Sequence, residues 1–522
     1  MYSTSIPVTA ASFFDRQDEI RKLQTVVEGL RADTPTWLAI IGPRKIGKTS
    51  LLLELARRAT DSEVVFVVID CFEELPLLPE IFRRYALRLV DGALGADLGT
   101  SLEALASRPA EFRAALQRSS RFDALAPPLR SLILELAESH VDGALVRDLL
   151  DLPEQLARSL GIHFLVAWDE FQELATLSSR ESSADYLPLM RSRWQRHRRT
   201  SYVISGSAPT MLRELVTDER SPFFQHFSMM EVGPFVRDHA VRLLRENAPP
   251  DREISEELAG RVFDLIGGHP FYLQLLGDAL TRQPMDEEET ALKQALQELL
   301  FSGTGRLALY FENELRRHAG RSGLLGKTLE VLAAGPARLS DIAKAIHSAS
   351  GAMARYLERL RDAVVRDPDG RYRLADPVFG LWLAWRQPGG TVVPMSLVGD
   401  DAEQAVARHL AAMGFDLIYQ SRASRGAFDL LATRGPRQLG VQVKRSALPL
   451  RFTAAAWGRM EAEAKRFGWR WVVAAVTPPP DGQVILLDPA DARVRKNVTL
   501  DAAASIDNLL LWVDRRTTGD SR

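Results

Sequence analysis

The octapeptide Gly42-Pro43-Arg44-Lys45-Ile46-Gly47-Lys48-Thr49 has the spacing of a phosphate-binding loop, between the apolar run Trp37–Ile41 and a helical stretch opening at Ser50. Backbone N–H groups at such a helix N-terminus wrap phosphate oxygens, and the helix dipole favours the anion. The Lys48 ammonium then neutralises β- and γ-phosphates, and the Thr49 hydroxyl ligates Mg²⁺. Phe164-Leu165-Val166-Ala167-Trp168-Asp169-Glu170 is an apolar strand ending in two acids. Beside the loop, Asp169 is expected to hold the cation through water and Glu170 to orient or deprotonate the attacking water. A strand ending in Ser205-Gly206-Ser207 should lie next to it, with Ser207 placed to sense the γ-phosphate; serine after a strand also fits ordinary turn chemistry. ATP and Mg²⁺ are the cofactors this pattern predicts.

A second constellation lies near the far end. Asp429 falls in an apolar run, and Gln442-Val443-Lys444 follows in the next one. Alternate residues of a strand share a face, so Gln442 and Lys444 can flank one site with Asp429 beside them. A carboxylate with backbone and amide oxygens can hold Mg²⁺, while a lysine can orient the hydrolytic water or stabilise a pentacovalent phosphate. Arg422, Arg425, Arg434, Arg437, Lys444, Arg445 and Arg451 cluster around these positions. Such a cluster neutralises a nucleic-acid backbone or is simply solvated surface. Arg191-Ser192-Arg193-Trp194-Gln195-Arg196-His197-Arg198-Arg199 is a third basic feature. It reads either as a finger toward phosphate in a neighbouring subunit of a homo-oligomer, or toward DNA, or as a solvated helix end.

These residues need a scaffold. At 522 residues, 46% hydrophobic and 26% charged, the chain has the balance of a folded protein of about three or four domains. Its single cysteine, Cys71, allows no internal disulfide, and no Cys/His cluster has zinc spacing. Residues 1–11 lack the basic start and apolar run of a signal peptide, and no stretch reaches the roughly 18 apolar residues of a membrane span. A cytoplasmic location without membrane contact is expected. Net charge is −2, yet Ser396 to Arg522 holds 18 Lys and Arg against 14 Asp and Glu, or +4, leaving −6 for the rest. A nucleic-acid surface must therefore be local.

Buried strands are expected at Trp37–Ile41, Val64–Asp70, His163–Trp168 and Tyr202–Ser205, alternating with helices as in a covered parallel sheet. Between the second and third, Cys71 to Ile162 has helical periodicity without a legible role. Arg237 to about Leu309 reads as an all-helical lid broken at Gly267-Gly268-His269-Pro270. Ser322 to Trp385 runs helix, helix, helix and a hairpin turning at Asp369-Gly370, the order of a winged helix. Gln387-Pro388-Gly389-Gly390-Thr391 is a loose boundary. A further α/β unit follows, with helices at Asp401–Met413 and Phe452–Phe467 and strands near Leu417–Tyr419, Ala427–Thr433, Gly440–Lys444 and Trp471–Val476.

Across residues 12–385 the chain resembles the archaeal-type and bacterial P-loop ATPases of the AAA+/STAND group, which carry a winged helix and often a C-terminal nuclease-like domain. Phe13-Phe14-Asp15-Arg16-Gln17-Asp18-Glu19 is similar to the family's F-x-G-R-x-x-E box near the adenine, with Asp15 where glycine is usual. Gly268-His269-Pro270 resembles its G-x-P signature, whose proline lies against the adenine. Tyr372-Arg373-Leu374-Ala375-Asp376-Pro377 and Trp382 are similar to the end of its winged helix. Ser221-Pro222-Phe223-Phe224-Gln225-His226 stands where relatives commonly carry a sensor arginine. The resemblance implies nucleotide contacts from Arg16, Gly42 through Ser50, Ser207, His269 and Pro270. It implies an α/β fold: a P-loop NTPase parallel sheet with helical lid, winged helix and a C-terminal restriction-endonuclease-like domain. The corresponding boundaries are 1–235 for the ATPase core, 236–310 for the lid, 311–386 for the winged helix, 387–397 for a linker and 398–515 for the last domain.

Residues 401–477 also resemble the PD-(D/E)xK nucleases, most closely the archaeal-type Holliday-junction resolvases, through Glu403, Gly414-Phe415, Asp429, Gln442-x-Lys444 and Ala464-Lys465-Arg466-Phe467-Gly468. The resemblance implies a metal site of Glu403, Asp429 and Gln442, with Lys444 catalytic. Gln442 replaces the usual glutamate, and a neutral amide weakens Mg²⁺ binding. Two outcomes stay open for this domain: a live nuclease, or one that holds DNA or a partner without cutting. Arg355 and Arg359, one turn apart in Ser350–Leu360, would read DNA from the winged helix or pack between domains. The expected function is an ATP-hydrolysing protein whose nucleotide state positions the nuclease-like domain on DNA. The alternatives are a nucleotide-switched DNA-binding regulator and a STAND-type signalling scaffold.

Overall fold

The computed structural model describes residues 2–4, 6–10, 13–58, 63–72, 78–98, 100–137, 141, 143–180, 186–283, 288–302, 304–386, 401–415, 417–420, 428–434, 437–467, 469–478, 483–495 and 497–514. The expected linker 387–397 and the arginines Arg422 and Arg425 lie outside them. The chain divides into two compact units, residues 1–255 with 268–281, and residues 256–267 with 282–522. The division passes through the helices expected to form one lid.

In the first unit β1 (Trp37–Ile41), β2 (Val64–Asp70), β3 (His163–Asp169), β4 (Thr200–Gly206) and β5 (Phe227–Glu231) form a parallel sheet in the order β2-β3-β4-β1-β5. Side chains alternate between faces, as pleating demands. Leu38, Ile40, Leu165, Ala167 and Val203 meet α1 (Gln17–Arg31) and α2 (Lys48–Arg58), whose Ile20, Leu23, Val27, Leu30, Leu51 and Leu55 recur at helical spacing. Trp37, Ala39, Ile41, Phe164, Val166, Trp168, Tyr202 and Ile204 face the other way, into a larger core.

That second core gives the 71–162 stretch its role. It folds as α3 (Leu78–Leu98), α4 (Leu102–Leu105), α5 (Pro109–Leu116), α6 (Ser120–Asp123), α7 (Pro127–Glu135) and α8 (Gly143–Leu160), and these helices cover the sheet's second face. α9 (Phe171–Arg180), α10 (Tyr186–Trp194), α11 (Pro209–Thr217) and α12 (Arg237–Asn247) complete the layers with α14 (Pro270–Thr281), while α13 (Glu256–Ile266) belongs to the second unit. The sequence reading missed β5, because this edge strand buries only Phe227 and Met230 of its five residues and lacks an apolar run.

The second unit continues with α15 (Glu288–Leu299), α16 (Arg306–Ala319), α17 (Gly323–Ala333), α18 (Leu339–Ala345) and α19 (Ser350–Arg359). The hairpin β6 (Val364–Arg366) and β7 (Tyr372–Leu374) turns at Gly370, whose φ of 82° suits glycine, and α20 (Pro377–Arg386) follows. After α21 (Asp401–Ala412) come β8 (Leu417–Gln420), β9 (Leu430–Arg434), β10 (Arg437–Lys444), β11 (Leu450–Thr453), α22 (Ala454–Phe467), β12 (Arg470–Val476), β13 (Val484–Leu487), β14 (Arg493–Val494), β15 (Asn497–Leu500) and α23 (Leu509–Asp514). Five strands form a mixed sheet, β13-β12-β10-β9-β8, and three a smaller one, β11-β15-β14. Phe452 therefore lies in a strand, not at the start of a helix: with Leu450 it turns inward against Trp457 and Leu500, an alternation only a strand provides. Among the described residues, no helix is long and apolar enough to cross a membrane.

Candidate active site

β1 delivers the loop. Its first glycine is fixed by packing, because a Cβ on Gly42 would stand 2.4 Å from the Val232 carbonyl oxygen. Lys45 (φ 59°) and Gly47 (φ 106°) take left-handed conformations that curl the chain into α2. The buried Lys48 donates from Nζ to the carbonyls of Gly42 (3.0 Å) and Pro43 (2.9 Å). Thr49 Oγ1 donates to Asp169 Oδ2 at 2.5 Å, across the end of β4.

Asp169 and Glu170 are held differently. Ser205 donates its hydroxyl to Asp169 Oδ1, and the Glu170 N–H reaches the same oxygen at 3.1 Å. Glu170 sits at φ 52°, and its Oε2 accepts Ser207 Oγ (2.6 Å), Ser207 N–H (3.1 Å) and Gln172 Nε2 (2.5 Å). Burial by itself pushes the Glu170 carboxyl up; the hydrogen bonds from Ser207 and Gln172, with the Lys48 ammonium, outweigh it and hold the group ionised below its usual range.

A cleft of about 260 Å³ opens over these groups. Arg44, Lys45, Gly47, Lys48, Thr49, Ser50 and Glu170 form its polar end, and Pro270, Phe271 and Gln274 of α14 line it together with Ser3, Thr4, Ile6, Pro7 and Val8. Lys45 Nζ lies 4.2 Å from the Phe271 ring centre. His269 donates from Nε2 to the Arg44 carbonyl at 3.1 Å and stacks on Tyr272, which ties α14 to the loop. Arg16, expected at the adenine, does not line the cleft. It is buried beneath the loop, donating to Gly233 O (2.6 Å) and Ile46 O (3.3 Å) and lying 4.5 Å from the Phe235 ring centre. Asp15 adopts φ 55°, the conformation a glycine takes most easily, and pairs with His239 at 2.6 Å.

A sequence model of the family described as an ATPase domain predominantly from Archaea matches residues 13–276. The chain belongs to this family. Among solved structures, a Walker-type ATPase of Pyrococcus abyssi is 22% identical, with 73% of this chain covering 98% of that one at a TM-score of 0.52. It shares the fold. The ORC2 protein of Aeropyrum pernix (14% identity, 72% and 92% covered, TM-score 0.45) and the Holliday junction resolvase of Archaeoglobus fulgidus (19% identity, 21% and 98% covered, TM-score 0.19) are more distant. No curated protein matches.

The ATPase domain thus binds and hydrolyses ATP. The hydroxyl and carboxylate oxygens of Thr49 and Asp169, side by side, suit the all-oxygen shell of Mg²⁺ and would hold it, where it would offset phosphate charge. Lys48 stands where it would meet the phosphates and Glu170 where it would accept a proton from water, both at the polar end of the cleft. Ser205, Gln172 and Gln274 were missed in the sequence reading; a polar residue inside an apolar strand or helix face is the one signal each carries.

The second constellation is in the other unit. Asp429 stands one residue before β9, its N–H on the Val441 carbonyl at 3.0 Å. Val441 and Val443 enter the core under α21, so Gln442 and Lys444 share the opposite face as expected. Asp429 Oδ2 accepts the Val443 N–H at 2.7 Å and the Gln442 amide nitrogen. A carboxylate only accepts, so the amide turns its nitrogen, not its oxygen, to Asp429. As arranged, these groups do not fit the metal site expected of Glu403, Asp429 and Gln442. Glu403 is half-buried on α21, and Lys444 Nζ lies 5.9 Å from the Phe452 ring centre. Among the described residues, no three His, Cys, Asp or Glu side chains gather at metal-binding distance.

The arginine-rich segment precedes β4, at the end of the sheet opposite the loop. Arg191 reaches His226 (3.2 Å), Arg193 Asp151 (2.8 Å) and Arg199 Asp33 (3.5 Å); Arg196 and Arg198 are exposed.

Proposed function

We propose that this protein is an ATPase whose nucleotide state governs how its C-terminal, nuclease-like domain engages DNA. The observation that carries the ATPase half is the convergence of Lys48, Thr49 and Glu170 on one cleft, with Asp169 bonded to Thr49 directly behind it. Support for the DNA half is the net-positive tail, the exposed Lys444, Arg445 and Arg451, and the exposed Arg355 and Arg359 on α19, read as the recognition helix of a winged helix. Within this proposal the functional segments are a core to 235, a lid to 310, a winged helix to 386 and a last domain from 398, although the compact units themselves divide inside the lid segment. Arg196 and Arg198 are the groups through which a second copy would be met.

A second reading, a domain that holds DNA without cutting, is favoured by the Gln442 amide. It satisfies Asp429 with no cation, which a glutamate there would not do. Labelled duplex, single-stranded and four-way-junction DNA should be assayed with Mg²⁺ or Mn²⁺, with and without ATP. DNA affinity is expected to change with ATP in wild type but not in Lys48→Ala; equal affinity with ATP, ADP and no nucleotide would overturn the proposal. Metal-dependent cutting lost in Lys444→Ala selects the nuclease; binding without cutting selects the second reading.

A further inference from the structure

The segment 2–10 carries no sequence pattern, yet the fold reserves partners for it. Its backbone N–H groups at Ser3, Val8 and Ala10 donate to Gln274 Oε1 (2.9 Å), Ser50 Oγ (3.0 Å) and Glu54 Oε2 (2.8 Å). Gln274, Ser50 and Glu54 are themselves buried, at 6%, 7% and 1% exposure. Polar groups at such depth need partners, and the strap gives one to each, beside the Arg57 and Arg58 guanidiniums that also pair with Glu54. It runs from α2, directly after Thr49, to α14, across the mouth of the cleft. At its far end the Tyr2 ring fills a notch over Gly277, and its hydroxyl donates to the Leu244 carbonyl. A Cβ on Gly277 would stand 2.2 Å from Tyr2 Cε1.

Between these anchors Ile6, Pro7 and Val8 face the cleft opposite Pro270 and Phe271. Ile6 is 73% exposed, more than any other large hydrophobic residue among those described. A flat aromatic ring entering there would cover apolar surface on both sides, while its phosphates reached Lys48 at the polar end.

We propose that the described residues 2–4 and 6–10 are the base-side wall of the nucleotide site, and that the seating of Tyr2 on Gly277 sets how long the nucleotide stays bound. This rests on reading the cleft as the ATP site. Nucleotide leaves when the strap lifts, and the strap lifts when Tyr2 leaves its notch.

The test is release of N-methylanthraniloyl-ADP from the full chain, chased with excess ADP in stopped flow. Gly277→Ala suits it because alanine is the better helix former, so α14 is kept while the notch is filled. Tyr2→Ala removes the ring instead. Both are expected to speed release by about tenfold or more, with association changed far less. Ile6→Ala is expected to weaken binding of the adenine nucleotide while leaving inorganic triphosphate unaffected. Release from Gly277→Ala and Tyr2→Ala within twofold of wild type, with Lys48→Ala still impaired, would overturn the strap alone. Unaltered binding by Lys48→Ala would overturn the site and the strap together.

Discussion

Gly268 offers a sharp test of how the cleft is built. A Cβ added there would meet the Phe235 carbonyl oxygen at 1.8 Å, its carbon at 2.7 Å and its nitrogen at 2.9 Å, all backbone atoms that no rotamer change can clear. To reach an ordinary contact of 3.4 Å the two backbones must part by about 1.6 Å. That breaks the Phe235 N–H bond to the Gly268 carbonyl, now 2.8 Å. A lost buried backbone bond costs about 1–3 kcal/mol, and overpacking a similar amount, so Gly268→Ala should destabilise the first unit by about 2–6 kcal/mol. At about 2–4 °C per kcal/mol for a unit of this size, its Tm should fall by about 4–24 °C, read by circular dichroism. The displacement carries His269 off the Arg44 carbonyl and Phe271 away from Lys45, so nucleotide affinity should fall with it. Gly233→Ala is the control: its Cβ meets nothing within 4 Å, and surface substitutions of that kind stay within about 0.5 kcal/mol. A Gly268→Ala protein melting within 2 °C of the Gly233→Ala control on that scale would refute the steric argument.

Lys48→Ala should lower ATP turnover by at least about a hundredfold with the circular dichroism spectrum unchanged, and Glu170→Gln should do the same to turnover while nucleotide binding persists. In the second unit, burial pushes the Glu314 carboxyl up, but hydrogen bonds and charge from His318 and Arg317 prevail and hold it at about 2. A carboxyl held that low contributes stability above its unfolded pKa and loses it as pH falls from about 4.3 toward 2; Glu314→Gln should flatten that acid limb by about 1–3 kcal/mol in urea titrations. Gln442→Glu should remove the amide donor from Asp429, lower Tm in metal-free buffer, and gain it back with Mn²⁺; equal melting with and without the metal would count against this reading of the pair.

Much of the site was legible because its chemistry is local. The loop must join a buried strand to a helix, and the all-apolar Trp37–Ile41 before Gly42-Pro43-Arg44-Lys45-Ile46-Gly47-Lys48-Thr49 could hardly do otherwise. Asp169 and Glu170 ended the right strand for the same reason, and the alternation of Val441, Gln442, Val443 and Lys444 declared its own two faces. What the sequence left open were relations between distant residues. Arg16 looks like a ligand until its guanidinium is found on the Gly233 and Ile46 carbonyls beneath the loop. Gln442 reads as an oxygen donor until its nitrogen is seen turned to Asp429. The helices between Cys71 and Ile162 acquire their role only where Trp168 and Tyr202 face them. The strap 2–10 has no periodicity, and its partners Ser50, Glu54 and Gln274 lie 42, 44 and 271 residues away. Local spacing fixes which groups can do chemistry; packing across such separations decides which way each one faces.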